Sequence, residues 1–168
     1  RKNPSLQVIL LEKSNKLLSK VKVSGGGRCN VTHACYSIAE MIKKYPRGSS
    51  FLKKAFHHFF TNDTIAWFKE RGVVLKTEPD GRMFPVTDNA QTIIDCLIKE
   101  AGKFHVDIRM NKEVKGIYTN EGKWNLVMKD DTVLPADFIC IASGDKPKIV
   151  QYDWLKKAEH SIEEPVPS

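Results

Sequence analysis

The sequence predicts an α/β fold in which a parallel sheet is joined by a β-meander. Apolar, β-branched runs at residues 6–12 and 137–142 are typical of strands that are buried on both faces of a parallel sheet. Amphipathic helical patterns lie between residues 50 and 101, and strand-like segments over residues 114–134 are separated by hairpin-turn residues. With 168 residues, of which 41% are hydrophobic, the chain is long enough to bury a core.

The composition favours a folded, soluble protein. The apolar fraction argues against a disordered chain, and no apolar run approaches the ~18–20 residues that cross a bilayer. The basic N-terminal segment lacks a signal-peptide pattern. Cys29, Cys35, Cys96 and Cys140 form no C-x-x-C pair, so we expect reduced thiols in the cytoplasm. We interpret Cys96 and Cys140 as buried packing residues.

The strand at residues 6–12 ends at Glu12, which Lys13 follows. An acid at the end of a buried strand is where dinucleotide-binding folds hold a ribose, and a glycine fingerprint normally precedes it by about 20 residues. That fingerprint would fall before Arg1, and a buried strand so near the start of the chain needs a further neighbour. We therefore expect that an earlier strand of the sheet is missing from these 168 residues.

A glycine-rich segment follows a basic, polar stretch. Three consecutive glycines indicate backbone with positive φ or a close approach to another group. The N–H groups of such a loop converge on anions, and Arg28 could add a forked donor. A flexible surface loop explains the local sequence equally well. The residues of this segment, the glycine loop, are Ser24, Gly25, Gly26, Gly27, Arg28, Cys29 and Asn30.

The middle of the chain predicts helices separated by one short strand. Apolar residues recur at three- and four-residue spacing over 50–60, and Asn62-Asp63 begins a second helix that ends at Gly72. A strand at 73–77 leads through a Pro-Asp-Gly turn into an irregular extended segment that ends at Val86. A third helix begins at Thr87 or Asp88 and continues to residue 101.

The last part predicts a strand at 106–110 and then the meander, which begins at Val114 and turns at residues 120–122 and 130–131. The second buried strand, at 137–142, runs directly into Ser143-Gly144. The element order is strand, loop, helices, strand, helix, strand, meander and strand. This alternation is typical of an α/β domain.

Four strings, taken together, resemble the BaiN/YhiN-type flavoproteins, which are NAD(P)/FAD-dependent or aminoacetone-oxidase-like oxidoreductases. The strings S-G-G-G-R-C-N-x-T and G-R-x-F-P, in this order and spacing, carry most of the specificity. The resemblance covers essentially the whole chain but only part of the family's length. The four strings are Leu11-Glu12-Lys13, residues 24–32, residues 80–86 and Ala142-Ser143-Gly144.

The resemblance implies an incomplete Rossmann-like FAD/NAD(P)-binding domain that lacks its first βα unit. Residues 1–35 would supply the second strand and the glycine-rich cofactor loop, and residues 36–110 a helical excursion. Residues 111–145 would form the meander and the return strand. Residues 146–168 would begin a connection to a second domain outside this chain.

The resemblance also implies roles for individual residues. Glu12 would hold the hydroxyls of the adenosine ribose, with Lys13 beside it. The glycine loop would run along the pyrophosphate toward the flavin. The backbone of Val114 would meet the adenine, and the turn at 142–144 would pass close to the cofactor.

The implied function is that of an FAD-dependent oxidoreductase that moves electrons between flavin and a small-molecule substrate or NAD(P)H. Because the flavin performs the chemistry, no catalytic residue need lie in this segment. We interpret Cys29 as a structural residue. We expect residues 1–168 alone to be inactive and to bind FAD weakly or not at all.

A basic nucleic-acid-binding module without catalytic activity is the alternative. It is suggested by the net charge of +7 and by basic and aromatic residues mixed over 43–71. No nucleic-acid-binding motif appears, so we expect neither nucleic acid nor a membrane as the partner. His57 and His58 have no metal-ligand spacing to other residues, and we expect no metal site.

Overall fold

The computed structural model describes residues 5–144 and 152–162 and has an α/β fold, as predicted. It divides into two compact units. Unit one contains residues 18–106, and unit two contains residues 7–17 with the described residues from 107 onward. The elements in chain order are β1 (Ile9–Leu11), α1 (Ser19–Gly27), β2 (Thr32–His33), α2 (Ile38–Ile42), α3 (Ser49–Phe56), α4 (Thr61–Lys69), β3 (Leu75–Thr77), β4 (Arg82–Pro85), α5 (Ala90–Lys103), β5 (Asp107–Arg109), β6 (Val114–Asn120), β7 (Lys123–Met128), β8 (Val133–Ala136) and α6 (Asp153–Lys156).

Unit one has a three-stranded antiparallel sheet in the order β2-β4-β3, with Thr32 opposite Met83 and Lys76 opposite Phe84. Helix α5 packs against α1 and begins where the Asn89 side chain accepts a hydrogen bond from the Gln91 amide. The first half of its predicted apolar face is buried at Ala90, Ile93 and Ile94, whereas Ile98 is exposed. The core of the unit is formed by Cys29, Phe68, Val73, Ala90, Ile93 and Cys96.

Helices α3 and α4 follow the predicted order with shifted ends. Helix α3 ends at Phe56, four residues before the predicted end. Helix α4 begins at Thr61, where Asp63 Oδ2 accepts a hydrogen bond from the Phe60 amide at 2.7 Å. The buried Thr61 hydroxyl donates to the Cys35 carbonyl at 2.8 Å. This bond fixes the start of α4 to the chain that follows β2.

Unit two combines a parallel pair with the meander. Strand β1 pairs with β5, with Leu10 opposite Ile108. Strands β6, β7 and β8 form the predicted antiparallel meander, and Ile117 and Met128 are buried. A register shift between Val114 and Gly116 marks a bulge at the start of β6.

Two strand predictions are wrong in unit two. Strand β1 is not buried on both faces, because Ile9 and Leu10 are 38% and 42% exposed and, among the described residues, β1 has only β5 as a partner. Residues 137–142 form no strand, and Phe138 is 84% exposed. Cys140 is exposed rather than buried. An apolar run becomes a buried strand only where other strands and helices cover it.

The ends of the predicted segments also differ from the structure. Helix α1 occupies residues for which the sequence predicted no helix, and its last four residues, 24–27, are the first four of the glycine loop. Of the predicted connection at 146–168, residues 146–151 and 163–168 lie outside the described residues, and 152–162 contain α6. None of the helices in the described ranges is long and apolar enough to cross a membrane.

Candidate cofactor-binding site

The glycine loop has left-handed backbone at three successive residues. Helix α1 loses helical geometry at Ser24, where φ is −63° and ψ is 147°. Gly25, Gly26 and Gly27 then have φ values of +56°, +67° and +85°. Residues with a Cβ adopt this region at a cost of about 1–2 kcal/mol each. The prediction that the glycines serve positive φ is therefore confirmed.

The loop is also closely packed on one side. A Cβ on Gly25 would lie 2.7 Å from the Asn30 nitrogen and 2.8 Å from Cε1 of Phe84. A Cβ on Gly26 would meet nothing within 4 Å. The Cys29 amide closes the loop by donating to the Ser24 carbonyl at 3.0 Å. The loop is thus fixed on its Gly25 side and open at Gly26.

The second specific string, G-R-x-F-P, forms strand β4 beside this loop. Phe84 is completely buried, and the guanidinium of Arg28 lies over its ring, 4.0 Å from the centroid. The Val31 amide donates to the Met83 carbonyl at 2.9 Å. Two strings that are some 50 residues apart in the sequence are therefore one structural unit.

Arg28 lies among carboxylates. It forms an ion pair with Glu78, and its Nη1 is 3.6 Å from Asp88 Oδ1. The hydrogen bond to Glu78 raises the pKa of Arg28. Lys76, which also pairs with Asp88, lowers the pKa of that carboxyl. Sequence reasoning did not anticipate Glu78 and Asp88 as partners of Arg28, because each is more than 45 residues away along the chain.

Cys29 belongs to the core of unit one. Cys29 is 6% exposed and belongs to the same cluster of buried residues as Phe68, Val73 and Ala90. Its backbone has a φ of +61°, which few non-glycine residues adopt. The burial agrees with the structural interpretation of Cys29.

Glu12 follows β1 in unit two and continues its pairing. The Glu12 amide donates to the Arg109 carbonyl at 3.0 Å, and the Lys112 amide donates to the Glu12 carbonyl at 2.9 Å. The side-chain Oε1 accepts hydrogen bonds from the amide and the hydroxyl of Ser14, both at 2.8 Å. These bonds lower the pKa of Glu12, so its carboxylate is ionised at neutral pH and accepts hydrogen bonds.

A cavity of about 360 Å³ lies within unit two, and Lys13 lines it together with the segments that begin β6 and end β7. This volume is in the range of small-molecule sites. Val114, which opens β6 and pairs with Met128, directly follows the lining residue Glu113. The lining residues are Lys13, Asn111, Lys112, Glu113, Met128, Lys129 and Asp130.

The structure thus brings the segments of Glu12, Lys13 and Val114 together in unit two, whereas the glycine loop belongs to unit one. Ala142–Gly144 is irregular chain in unit two. The polar segment 111–113 was not predicted from the sequence to line a cavity. Its position directly after the predicted strand at 106–110 was the available signal. Within the described ranges, no group of three or more His, Cys, Asp or Glu side chains is arranged to hold a metal ion.

A strand that ends in an acid and pairs in parallel with its neighbour is a feature of Rossmann-type nucleotide-binding domains. The chain matches the family described as the HI0933-like protein Rossmann domain over residues 1–165, and it belongs to that family. This is the BaiN/YhiN-type flavoprotein family that the motifs indicated, so that prediction is confirmed.

Two curated relatives are similar to the chain over most of its length. It is 30% identical over 138 residues to a ribosomal RNA dihydrouridine synthase of Escherichia coli (strain K12), covering 82% of this chain and 33% of that protein. It is 25% identical to a 3-dehydro-bile acid delta(4,6)-reductase of Clostridium scindens, covering 87% and 34%. The chain therefore spans about a third of the length of these relatives.

Among solved structures, FqzB is similar, with a TM-score of 0.39 and 21% sequence identity over 78% of this chain and 29% of that chain.

Proposed function

We propose that the protein containing this chain is an FAD-dependent oxidoreductase and that residues 1–168 form part of its FAD-binding domain. The observation that carries the proposal is the left-handed run at residues 25–27 in a member of a Rossmann-domain family. Successive left-handed residues can turn backbone N–H groups toward one anion, which suits a pyrophosphate.

The residues present fit the adenosine half of FAD. The ionised Glu12 carboxylate is suited to accept hydrogen bonds from ribose hydroxyls, and only its Oε1 is bonded among the described residues. Lys13 lines an adjoining cavity that has the size of a small-molecule site. We assign the ribose to Glu12 and Lys13 and the adenine to the backbone of Val114.

The remaining assignments concern the rest of the cofactor. The glycine loop binds the pyrophosphate through its backbone, and the segment at 142–144 passes close to the cofactor. Residues 1–35 and 111–145 supply the cofactor contacts, 36–110 is a helical excursion, and 146–168 begins a connection to a second domain. When bound, FAD supplies the hydride chemistry, while the protein orients it and sets its electrostatic surroundings.

The names of the two relatives suggest a substrate class. Dihydrouridine is uridine whose C5–C6 double bond is reduced, and a 3-dehydro-delta(4,6) bile acid carries double bonds conjugated to a carbonyl group. Both reactions add hydrogen across a carbon–carbon double bond in conjugation with a carbonyl. We propose that the protein reduces such a bond in a small molecule, with NAD(P)H as the electron donor.

A uridine in RNA is the second candidate substrate. It is favoured by the net charge of +7 and by the relatives named as ribosomal RNA dihydrouridine synthases. A positive protein attracts the phosphate backbone, and that attraction weakens with salt. Loss of activity on RNA at high salt, with activity on a small enone unchanged, would distinguish this candidate from the first.

The complete protein, purified and denatured, tests the proposal through the flavin that it releases. We expect the released flavin to be FAD. In the intact protein, we expect the bound flavin to be reduced anaerobically by NADPH or NADH and to be reoxidised by either a small conjugated enone or uridine-containing rRNA. Binding of oligonucleotides without any flavin would instead support a non-catalytic nucleic-acid-binding module.

A further inference from the structure

We propose that Arg28 is a positioning residue whose guanidinium, held by Glu78 and Phe84, braces the glycine loop in its left-handed form. The inference rests on the proposed function, because it takes this loop to be the cofactor loop. It also assigns Arg28 a role different from the one that its sequence suggested, that of a forked donor to the cofactor's phosphates.

The contacts of Arg28 reach three separate segments of unit one. Its Nη1 and Nη2 both face the Glu78 carboxylate, which follows β3. Its Nη1 lies 3.6 Å from Asp88 Oδ1, in the segment before α5. Its guanidinium stacks 4.0 Å from the centroid of Phe84, in β4. One side chain at the end of α1 thus ties the loop to the sheet and to the start of α5.

The charges around Arg28 are balanced within the protein. Arg28, Lys76 and Arg82 pair with Glu78, Asp88 and Asp80. A phosphate brought to Arg28 would meet the two carboxylates that already bind its guanidinium. Anion recognition is therefore left to the backbone N–H groups of the loop, while the arginine holds their geometry.

Phe84 links Arg28 to the glycine loop, because its ring contacts the guanidinium and also lies beside Gly25. Its ring supports Arg28 on one face, and its Cε1 atom leaves no room for a side chain at Gly25. The ring is 0% exposed and sits in strand β4, so it is a rigid support. Release of the guanidinium therefore removes the tie between Arg28 and β4 and leaves the loop held by its close packing at Gly25.

The sign of the effect of Glu78→Gln separates a brace from a phosphate ligand. If Arg28 bound phosphate, removal of the competing carboxylate at Glu78 would strengthen FAD binding. If Arg28 is a brace, Glu78→Gln loosens the loop and weakens FAD binding. The glutamine side chain has the same size, so the substitution changes charge without leaving a cavity.

The experiment measures FAD affinity by fluorescence titration in the complete protein, with Glu40→Gln as the matched control. Glu40 lies in an exposed pair with Lys43 in the same unit. We expect Glu78→Gln and Arg28→Gln each to weaken FAD binding roughly tenfold, and the double variant to lose no more than the larger single effect. We expect Arg28→Lys to bind FAD almost as weakly as Arg28→Gln does, because an ammonium group does not form the forked pair of hydrogen bonds that a guanidinium forms. FAD binding by the Glu78→Gln variant that is unchanged or tighter than in the wild type would overturn the proposal that Arg28 braces the loop.

Hydrogen exchange of the flavin-free protein provides an independent readout. We expect the Cys29 and Val31 amides, which donate to Ser24 and Met83, to exchange faster in Glu78→Gln than in Glu40→Gln. Equal exchange in the two variants would contradict the proposal even if the protein bound no flavin. A wild-type protein without flavin affinity would contradict the proposed function and leave this exchange test valid.

Discussion

Gly25 and Phe84 are so close that a Cβ on the glycine would lie 2.8 Å from Cε1 of the aromatic ring. The first residue belongs to the glycine loop and the second to the G-R-x-F-P string. Their contact explains in steric terms why this loop needs glycine at its first left-handed position. Phe84 of the second string therefore limits which residue the first string can have at position 25.

Substitutions at Gly25 and Gly26 should separate steric collision from backbone strain. Both residues have left-handed φ, which costs an alanine about 1–2 kcal/mol. Of the two, only Gly25 has neighbouring atoms that an added Cβ would collide with, and one of them is the backbone nitrogen of Asn30. We expect Gly25→Ala to lower the free energy of unfolding by at least about 1 kcal/mol more than Gly26→Ala does, as measured in urea. Equal losses would contradict the close packing at Gly25.

Glu12→Gln should weaken FAD binding without unfolding unit two. A hydrogen bond to a charged group contributes about 1.5–3 kcal/mol, which corresponds to a loss of roughly 10- to 100-fold in affinity. Glu121→Gln, in the exposed turn between β6 and β7, is the matched control. Titration of both variants with FAD checks the assignment. Wild-type affinity in Glu12→Gln would remove Glu12 from the cofactor site.

Asp130 should make stability depend on pH in the acid range. Hydrogen bonds from Thr132 and then from Lys112 lower its pKa from 3.8 to about 2. A carboxyl whose pKa is lower in the folded state stabilises the fold above its unfolded pKa, and this contribution is lost as the pH falls through about 2. We expect Asp130→Asn to lower the melting temperature at pH 6 and to match the wild type near pH 2. A difference in melting temperature between Asp130→Asn and the wild type that does not change with pH would contradict this role of the Asp130 carboxylate.

The four thiols should react at two rates with a thiol reagent under native conditions. Cys140 is exposed and Cys35 half-buried, whereas Cys29 and Cys96 are buried. Burial also raises the pKa of the Cys96 thiol and so reduces its thiolate fraction. We expect fast labelling of Cys35 and Cys140 and slow labelling of the other two, followed by peptide mass spectrometry. Rapid labelling of Cys29 would contradict its place in the core.

Local sequence patterns predicted those elements that are determined by residues close to one another in the sequence. The apolar stripe of α5 and the hairpins of the meander could be predicted because a helix face and a two-residue turn are local features. The run at 137–142 could not be judged in that way. Its apolar residues resemble a buried strand, but strand formation depends on partners that the local sequence does not specify.

The candidate site was predicted in part for the same reason. The need for positive φ at residues 25–27 follows from the glycines themselves. The ion pair between Arg28 and Glu78, and the stacking of Arg28 on Phe84, depend on contacts across about 50 residues of chain. The sequence therefore indicated Arg28 as a possible donor in the loop, but it did not indicate the side chains with which the guanidinium pairs.

Release of flavin from the complete protein tests the central claim most directly. The protein is purified without added cofactor, denatured, and the supernatant is analysed for FAD by chromatography and absorbance. We predict about one FAD per chain or, if it is lost in purification, restoration to that level by added FAD. A complete, folded protein that contains no flavin and takes up none from excess FAD would contradict the account.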